Sequence, residues 1–164
     1  VDFHVHKDYS TGGSIFREDG YKYRAEKKID TSSRKMRRID DVVRGKGPFE
    51  IMKLDIQGAE LMALVGASET MKGAQVVLLE VALQQYNRGS PSFADINHYL
   101  ESQGFAMFDI LELRHQKYAA AEYETYPALV QFDVMWVRRG DAGGTLDLYS
   151  FPPPPKPLYH CTLG

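Results

Sequence analysis

Lys53-Leu54-Asp55-Ile56-Gln57-Gly58-Ala59-Glu60 is the stretch on which the fold of this 164-residue chain turns. Around its start, Ile51, Met52, Leu54 and Ile56 form a near-continuous apolar run broken only by Lys53 and Asp55. Strands buried on both faces of a parallel sheet have this composition. Gly58 then opens a helix that carries Leu61, Leu64, Val65 and Ser68 at three-to-four spacing and ends near Gly73. Val76 to Leu83 is a second buried strand, rich in Val and Leu and interrupted by Glu80. Strand, helix, strand at this length predicts a right-handed parallel crossover. Further on, Ser92 and Asp95 have the spacing of a capping box, with Phe93, Ile96 and Leu100 as the buried stripe of a helix. Gly104 stands where a helix-terminating glycine belongs. Phe105–Leu113 and Leu129–Val137 then predict a terminal strand pair, so the fold class is α/β.

Outward from this centre the signals weaken. Val1, Phe3 and Val5 alternate with Asp2, His4 and His6, as in a short half-buried strand. Residues 7–34 are polar and predict loop, with a turn at Thr11-Gly12-Gly13-Ser14 and one strand around Tyr21–Arg24. Arg114 to Pro127 is polar and aromatic, and its tyrosines suit either a lid or packing under a loop. From Gly140 the chain turns glycine-rich and then reaches four consecutive prolines. The expected division is therefore a domain over 1–140 and an extended tail over 141–164.

Composition excludes several classes. Twenty Lys and Arg against 22 Asp and Glu provide no basic field for nucleic acid. The most apolar run, Ala74 to Leu83, is half the length of a membrane span and carries Glu80. The single cysteine, Cys161, cannot form an internal disulfide, which favours a reducing compartment such as the cytoplasm, or at least a fold that needs no disulfide.

The candidate chemistry lies at the strand ends. Ligands of open α/β sheets bind in the crevice beyond the carboxyl ends of the strands, where Asp55 stands. The plain alternative is that Asp55 caps the following helix. Glu80 is costly inside an apolar strand unless it is paired or near the wet end. If the two strands are parallel neighbours, Asp55 and Glu80 face the same crevice, where they could share a metal ion or move a proton. The alternative for Glu80 is a salt bridge to Lys53 or Arg88. Tyr86 and Asn87 follow on the loop where a substrate could lie, although a tyrosine there can equally anchor a loop. His4 and His6 resemble the first metal pair of a barrel hydrolase, but no second strand end offers further ligands. Arg34-Lys35-Met36-Arg37-Arg38 is expected to be a solvated loop, with an anionic-ligand contact as the lesser reading.

The ordered blocks resemble the FkbM-type methyltransferase family. They are Thr11-Gly12-Gly13-Ser14-Ile15, Ile39-Asp40-Asp41-Val42-Val43, the stretch from Lys53 to Glu60, and Leu64-Val65-Gly66-Ala67. Val77-Leu78-Leu79-Glu80, Gln85-Tyr86-Asn87, Gly104-Phe105 and the run from Phe132 to Val137 complete the set. The resemblance implies a class I methyltransferase (Rossmann-like) sheet ending in an antiparallel hairpin. It also implies S-adenosylmethionine as methyl donor and a small-molecule or sugar hydroxyl as acceptor. Asp55 and Glu80 become the crevice carboxylates, with Tyr86 and Asn87 beside the acceptor. One departure stands out. The family's glycine-rich cofactor loop and the acid of the next strand would lie upstream, and the fourteen glycines include no G-x-G-x-x-G. The expectation is thus an N-terminally incomplete copy with its cofactor-binding residues unknown. The alternative is a non-catalytic remnant or interaction module that keeps the sheet core.

Overall fold

A computed structural model describes residues 1–7, 9–17, 29–83, 87–117 and 127–140. The predicted sites Tyr86, Tyr118–Tyr126, Tyr21–Arg24 and the tail from 141, with Cys161, lie outside them.

The first layer is a small antiparallel sheet in which β1 (Asp2–His6) lies between β2 (Tyr9–Ser14) and β3 (Ile29–Ser33). Thr11-Gly12-Gly13-Ser14, expected as a turn, runs as strand opposite β1, with a register shift between His4 and His6. The reason lies in packing. A Cβ on Gly13 would sit 2.8 Å from the Phe3 ring, so the glycine admits the aromatic side chain where a larger residue would meet it.

The second layer is the sheet predicted from the sequence. It contains β4 (Ile51–Leu54), β5 (Val76–Ala82), β6 (Phe105–Lys117) and β7 (Pro127–Arg138) in the spatial order β4-β5-β7-β6. β4 and β5 are parallel, and β5–β7 and β7–β6 are antiparallel, so the predicted crossover and terminal hairpin are both present. Among the described residues β4 pairs with β5 alone. A short helix α1 (Ile39–Val42) precedes β4. The crossover is α2 (Glu60–Val65) followed by a 3-10 turn at Thr70–Gly73, shorter than the continuous helix expected from Gly58 to Gly73. Gly66 interrupts it, in keeping with the low helix propensity of glycine.

Helix α3 (Phe93–Ser102) has the predicted capping box: Ser92 Oγ accepts from Asp95 N–H while the Asp95 carboxylate accepts from Ser92 N–H. Its Ile96 and Leu100 join Leu64, Met71, Val77, Leu79, Phe105, Val134 and Trp136 in one core beneath the sheet. Trp136, fully buried, donates its indole N–H to Asn97 Oδ1 at 3.0 Å, so its polar atom is satisfied inside the core. Arg138 fastens the end of β7 by donating to the carbonyls of Ala74, Gln103 and Met71 and covering the Phe105 ring. Asp40 does the same for the 3-10 turn, accepting from Thr70 N–H at 2.9 Å, Thr70 Oγ1 at 2.8 Å and Glu69 N–H at 3.2 Å. Burial pushes the Asp40 carboxyl up, but these bonds and the Arg38 guanidinium outweigh it and bring its pKa to about 2. Among the described residues no helix is long and apolar enough to cross a membrane.

Candidate active site

The register Leu54↔Leu79 sets the carboxyl ends of β4 and β5 side by side, so Asp55 emerges next to Glu80. Asp55 is exposed, whereas Glu80 is 6% exposed. Between them the Gln57 amide acts as a clamp: Nε2 donates to Asp55 Oδ1 and to Glu80 Oε2, each at 2.9 Å. The two carboxylates predicted to share a crevice are therefore joined by a residue whose role the sequence did not announce.

The clamp depends on an unusual backbone. Gln57 has φ 54° and Gly58 φ 97°, both in the left-handed half of conformational space. For a non-glycine residue this conformation costs about 1–2 kcal/mol. Three contacts hold it in place. Ser14 Oγ, from the end of β2, donates to the Gln57 carbonyl at 2.7 Å, and Asn87 Nδ2 donates to the same oxygen at 2.7 Å. Glu60 folds back so that its Oε1 accepts from Ile56 N–H at 2.9 Å and Gly58 N–H at 3.2 Å. Glu60 is 2% exposed, and burial pushes its carboxyl up against the lowering effect of those backbone donors. Asp55 does not cap α2: the N-cap is Ala59, without a side-chain hydrogen bond. At Gly58 a Cβ would lie 3.0 Å from Ser90 Cβ and 3.4 Å from Asn87 Nδ2, so loop and neighbouring segment meet through the missing side chain.

Glu80 meets a charge from the far edge of the sheet. Arg114 Nη1 lies 2.8 Å from Glu80 Oε1, an ion pair by distance, although among the described residues Oε1 has no aligned hydrogen-bond donor. The expected partners were Lys53 and Arg88; the observed one lies on β6. Burial pushes the Glu80 carboxyl up, and the Asp55 charge and a hydrogen bond shared with Asp55 push it further, while Arg114 and Gln57 oppose. The result is a carboxyl moved from its ordinary value toward neutral pH, the direction that suits an exchange of protons with a bound hydroxyl.

The other candidates are placed as follows. Asn87 is 4% exposed and holds the Gln57 carbonyl. His4 Nδ1 is 2.9 Å from Thr31 Oγ1. Among the described residues no group of three or more His, Cys, Asp and Glu side chains is placed to hold a metal ion. Arg34 to Arg38 are exposed, and Arg38 pairs with Asp40 at 3.3 Å. Sequence reasoning missed Gln57 and Arg114. The first was visible as an amide two residues beyond the strand-end acid. The second is 34 positions from Glu80 in the chain, and nothing local marks it.

A cavity of ≈ 300 Å³ opens on the other side of Ile56, between α1, α2 and the start of the molecule; Ile15, Met36, Ile39, Ile56 and Met62 give it an apolar wall, with Arg37 and Arg38 also lining it. Such a wall suits the face of a purine. Among the described residues no carboxylate lines it to take ribose hydroxyls, and none forms a glycine-rich strand–turn–helix. A nucleoside sulfonium cofactor therefore finds only part of its donor set here, and no residue is assigned to it.

Neither a curated protein nor a solved structure matches the chain. The sequence profile of the methyltransferase FkbM domain matches residues 2–107, a span that includes Asp55, Gln57, Glu60, Glu80 and Asn87. That is more than half of the chain, and it ends inside β6. The protein with this carboxylate pair at its strand ends belongs to the FkbM-domain methyltransferase family.

Proposed function

We propose that the chain is an S-adenosylmethionine-dependent O-methyltransferase domain built on a class I, Rossmann-like sheet, and that its acceptor is a small-molecule or sugar hydroxyl. The observation that carries this reading is the clamped pair: exposed Asp55 at the carboxyl end of a parallel strand, joined through Gln57 to buried Glu80. The order β4-β5-β7-β6, with one parallel pair followed by an antiparallel hairpin, supports the fold assignment.

The cofactor, when bound, supplies an electrophilic methyl group. The chain's own contribution is to the acceptor. Asp55 accepts the hydrogen bond of the acceptor hydroxyl and orients its oxygen. Glu80, with a proton affinity raised by burial and by the Asp55 charge, takes up the proton shared across the pair. Gln57 prevents the two carboxylates from swinging apart. Transfer of a labelled methyl group from S-adenosylmethionine to hydroxyl-bearing small molecules, tested against a panel of sugars and polyketides, checks the reading. Labelled product that is stable to base, as an ether is, supports it. Label confined to amines or carboxyls contradicts it.

Two observations favour a second reading, a non-catalytic module that keeps the sheet core. Among the described residues β4 has no neighbour on its outer edge and no glycine-rich cofactor loop is present. Calorimetric titration of S-adenosylmethionine into the 164-residue chain separates the two. Micromolar binding supports the enzyme, and no detectable binding supports the module.

A further inference from the structure

Glu80 sits on a face of the sheet whose charges come from three strands. The register sets Glu80 of β5 opposite Asp133 of β7, and Asp133 opposite Glu112 of β6, so three carboxylates form a row across the sheet. Lys53 of β4 shares this face by register, and Asp55 with Gln57 closes its end. Arg114, two residues beyond Glu112, reaches into this row. Its Nη1 is 2.8 Å from Glu80 Oε1 and its Nε is 3.4 Å from Glu112 Oε1. The Arg114 side chain is about half exposed, whereas the Glu80 side chain is 5% exposed, so the cation comes from the wet side to a carboxylate that water hardly reaches.

We propose that Arg114 is a positioning residue of the carboxylate pair, bringing a positive charge to Glu80 at the mouth of the crevice while Glu112 competes for the same guanidinium. The proposal rests on the reading of Asp55 and Glu80 as the proton-handling pair. Two negative charges held close oppose each other's ionisation, and a nearby cation relieves that opposition. Here the cation does not come from the strands that carry the acids. It arrives from the antiparallel β6–β7 hairpin, so the docking of that hairpin biases the charge state of the site. Because Arg114 is divided between two carboxylates, its effect on Glu80 is adjustable: whatever occupies Glu112 releases more of the guanidinium to Glu80. The residue lies beyond the stretch matched by the FkbM domain, which ends at residue 107.

The test is the titration of Glu80 in the full chain carrying carboxyl-13C glutamate, with the Glu80 resonance identified by its loss in Glu80→Gln. Arg114→Met shifts the midpoint to higher pH. Arg114→Lys, which keeps the charge, brings it back toward the wild-type value, and Glu112→Gln shifts it below. Where the chain turns over, the acid limb of its pH–rate profile moves in the same directions. A midpoint unmoved in Arg114→Met overturns the proposal, as does an Arg114→Lys protein that titrates like Arg114→Met. If Arg114→Met fails to fold, Glu112→Gln decides alone, because a midpoint at or above wild type contradicts the competition. The titration needs neither cofactor nor acceptor. Absence of methyl transfer would therefore count against the proposed function and leave this result standing.

Discussion

Replacing Gln57 by leucine removes the amide that joins the two carboxylates and leaves a side chain of similar bulk. Two hydrogen bonds disappear, to Asp55 Oδ1 and Glu80 Oε2, both at 2.9 Å. The bond to exposed Asp55 competes with water and contributes little, whereas the bond to Glu80 is made to a carboxyl that water hardly reaches. A hydrogen bond to a charged, buried group is worth about 1.5–3 kcal/mol, so the variant loses about 2–3 kcal/mol at mildly alkaline pH. For a domain of this size that is a fall in Tm of roughly 4–12 °C. The loss depends on pH with a definite sign. Burial, and then the Asp55 charge, already raise the folded-state pKa of Glu80 above its ordinary 4.5, and Gln57 opposes that rise. An acid whose folded pKa lies above its unfolded one makes the protein less stable as pH rises through the folded value. Without Gln57 the folded value rises further, so the deficit is larger near pH 8 than near pH 5. Urea denaturation of wild type and Gln57→Leu at the two pH values measures both quantities. A loss below about 0.5 kcal/mol near pH 8, or a larger loss at the lower pH, refutes the clamp.

Two further substitutions examine the frame around the site. Gly58→Ala places a Cβ 3.0 Å from Ser90 Cβ at a backbone φ of 97°, and should cost about 2–4 kcal/mol in denaturation; a loss under about 0.5 kcal/mol would show that the loop has an easier conformation available. Asp40→Ala leaves Thr70 N–H and Glu69 N–H without their acceptor and should cost about 1–2 kcal/mol near neutral pH. Because the Asp40 pKa is lowered from 3.8 to about 2, its stabilisation is complete above 3.8 and is lost as pH falls through 2. Acid titration of stability should therefore be flatter in the variant over that window, and equal slopes would contradict the assignment.

The parallel pair, the crossover and the helix from Phe93 to Ser102 were legible because each rests on a local signal: apolar runs flanked by glycine, a capping box and a three-to-four stripe. Thr11 to Ser14 misled because two glycines in a row signal a turn, whereas here one of them makes room for Phe3 across a strand pair. The length of α2 was overstated because its apolar spacing continues past Gly66 into the 3-10 turn, which is held by Asp40 from a different segment. At the site, Asp55 and Glu80 could be paired from strand order alone, since parallel neighbours bring their carboxyl ends together. Gln57 depends on a left-handed backbone fixed by Ser14, Asn87 and Glu60, and no propensity scale contains that combination. Arg114 depends on hairpin register, a property of pairing between strands and not of any one strand.

In the proposed function Asp55 works on the acceptor's proton and not on the grip of the cofactor. The most direct measurement compares wild type and Asp55→Asn in methyl transfer from S-adenosylmethionine, with the cofactor Kd of each obtained by calorimetry. Asp55→Asn should reduce turnover by about 100-fold or more with Kd changed by less than about threefold. Turnover within about threefold of wild type, or a Kd weakened in step with the rate, would contradict it.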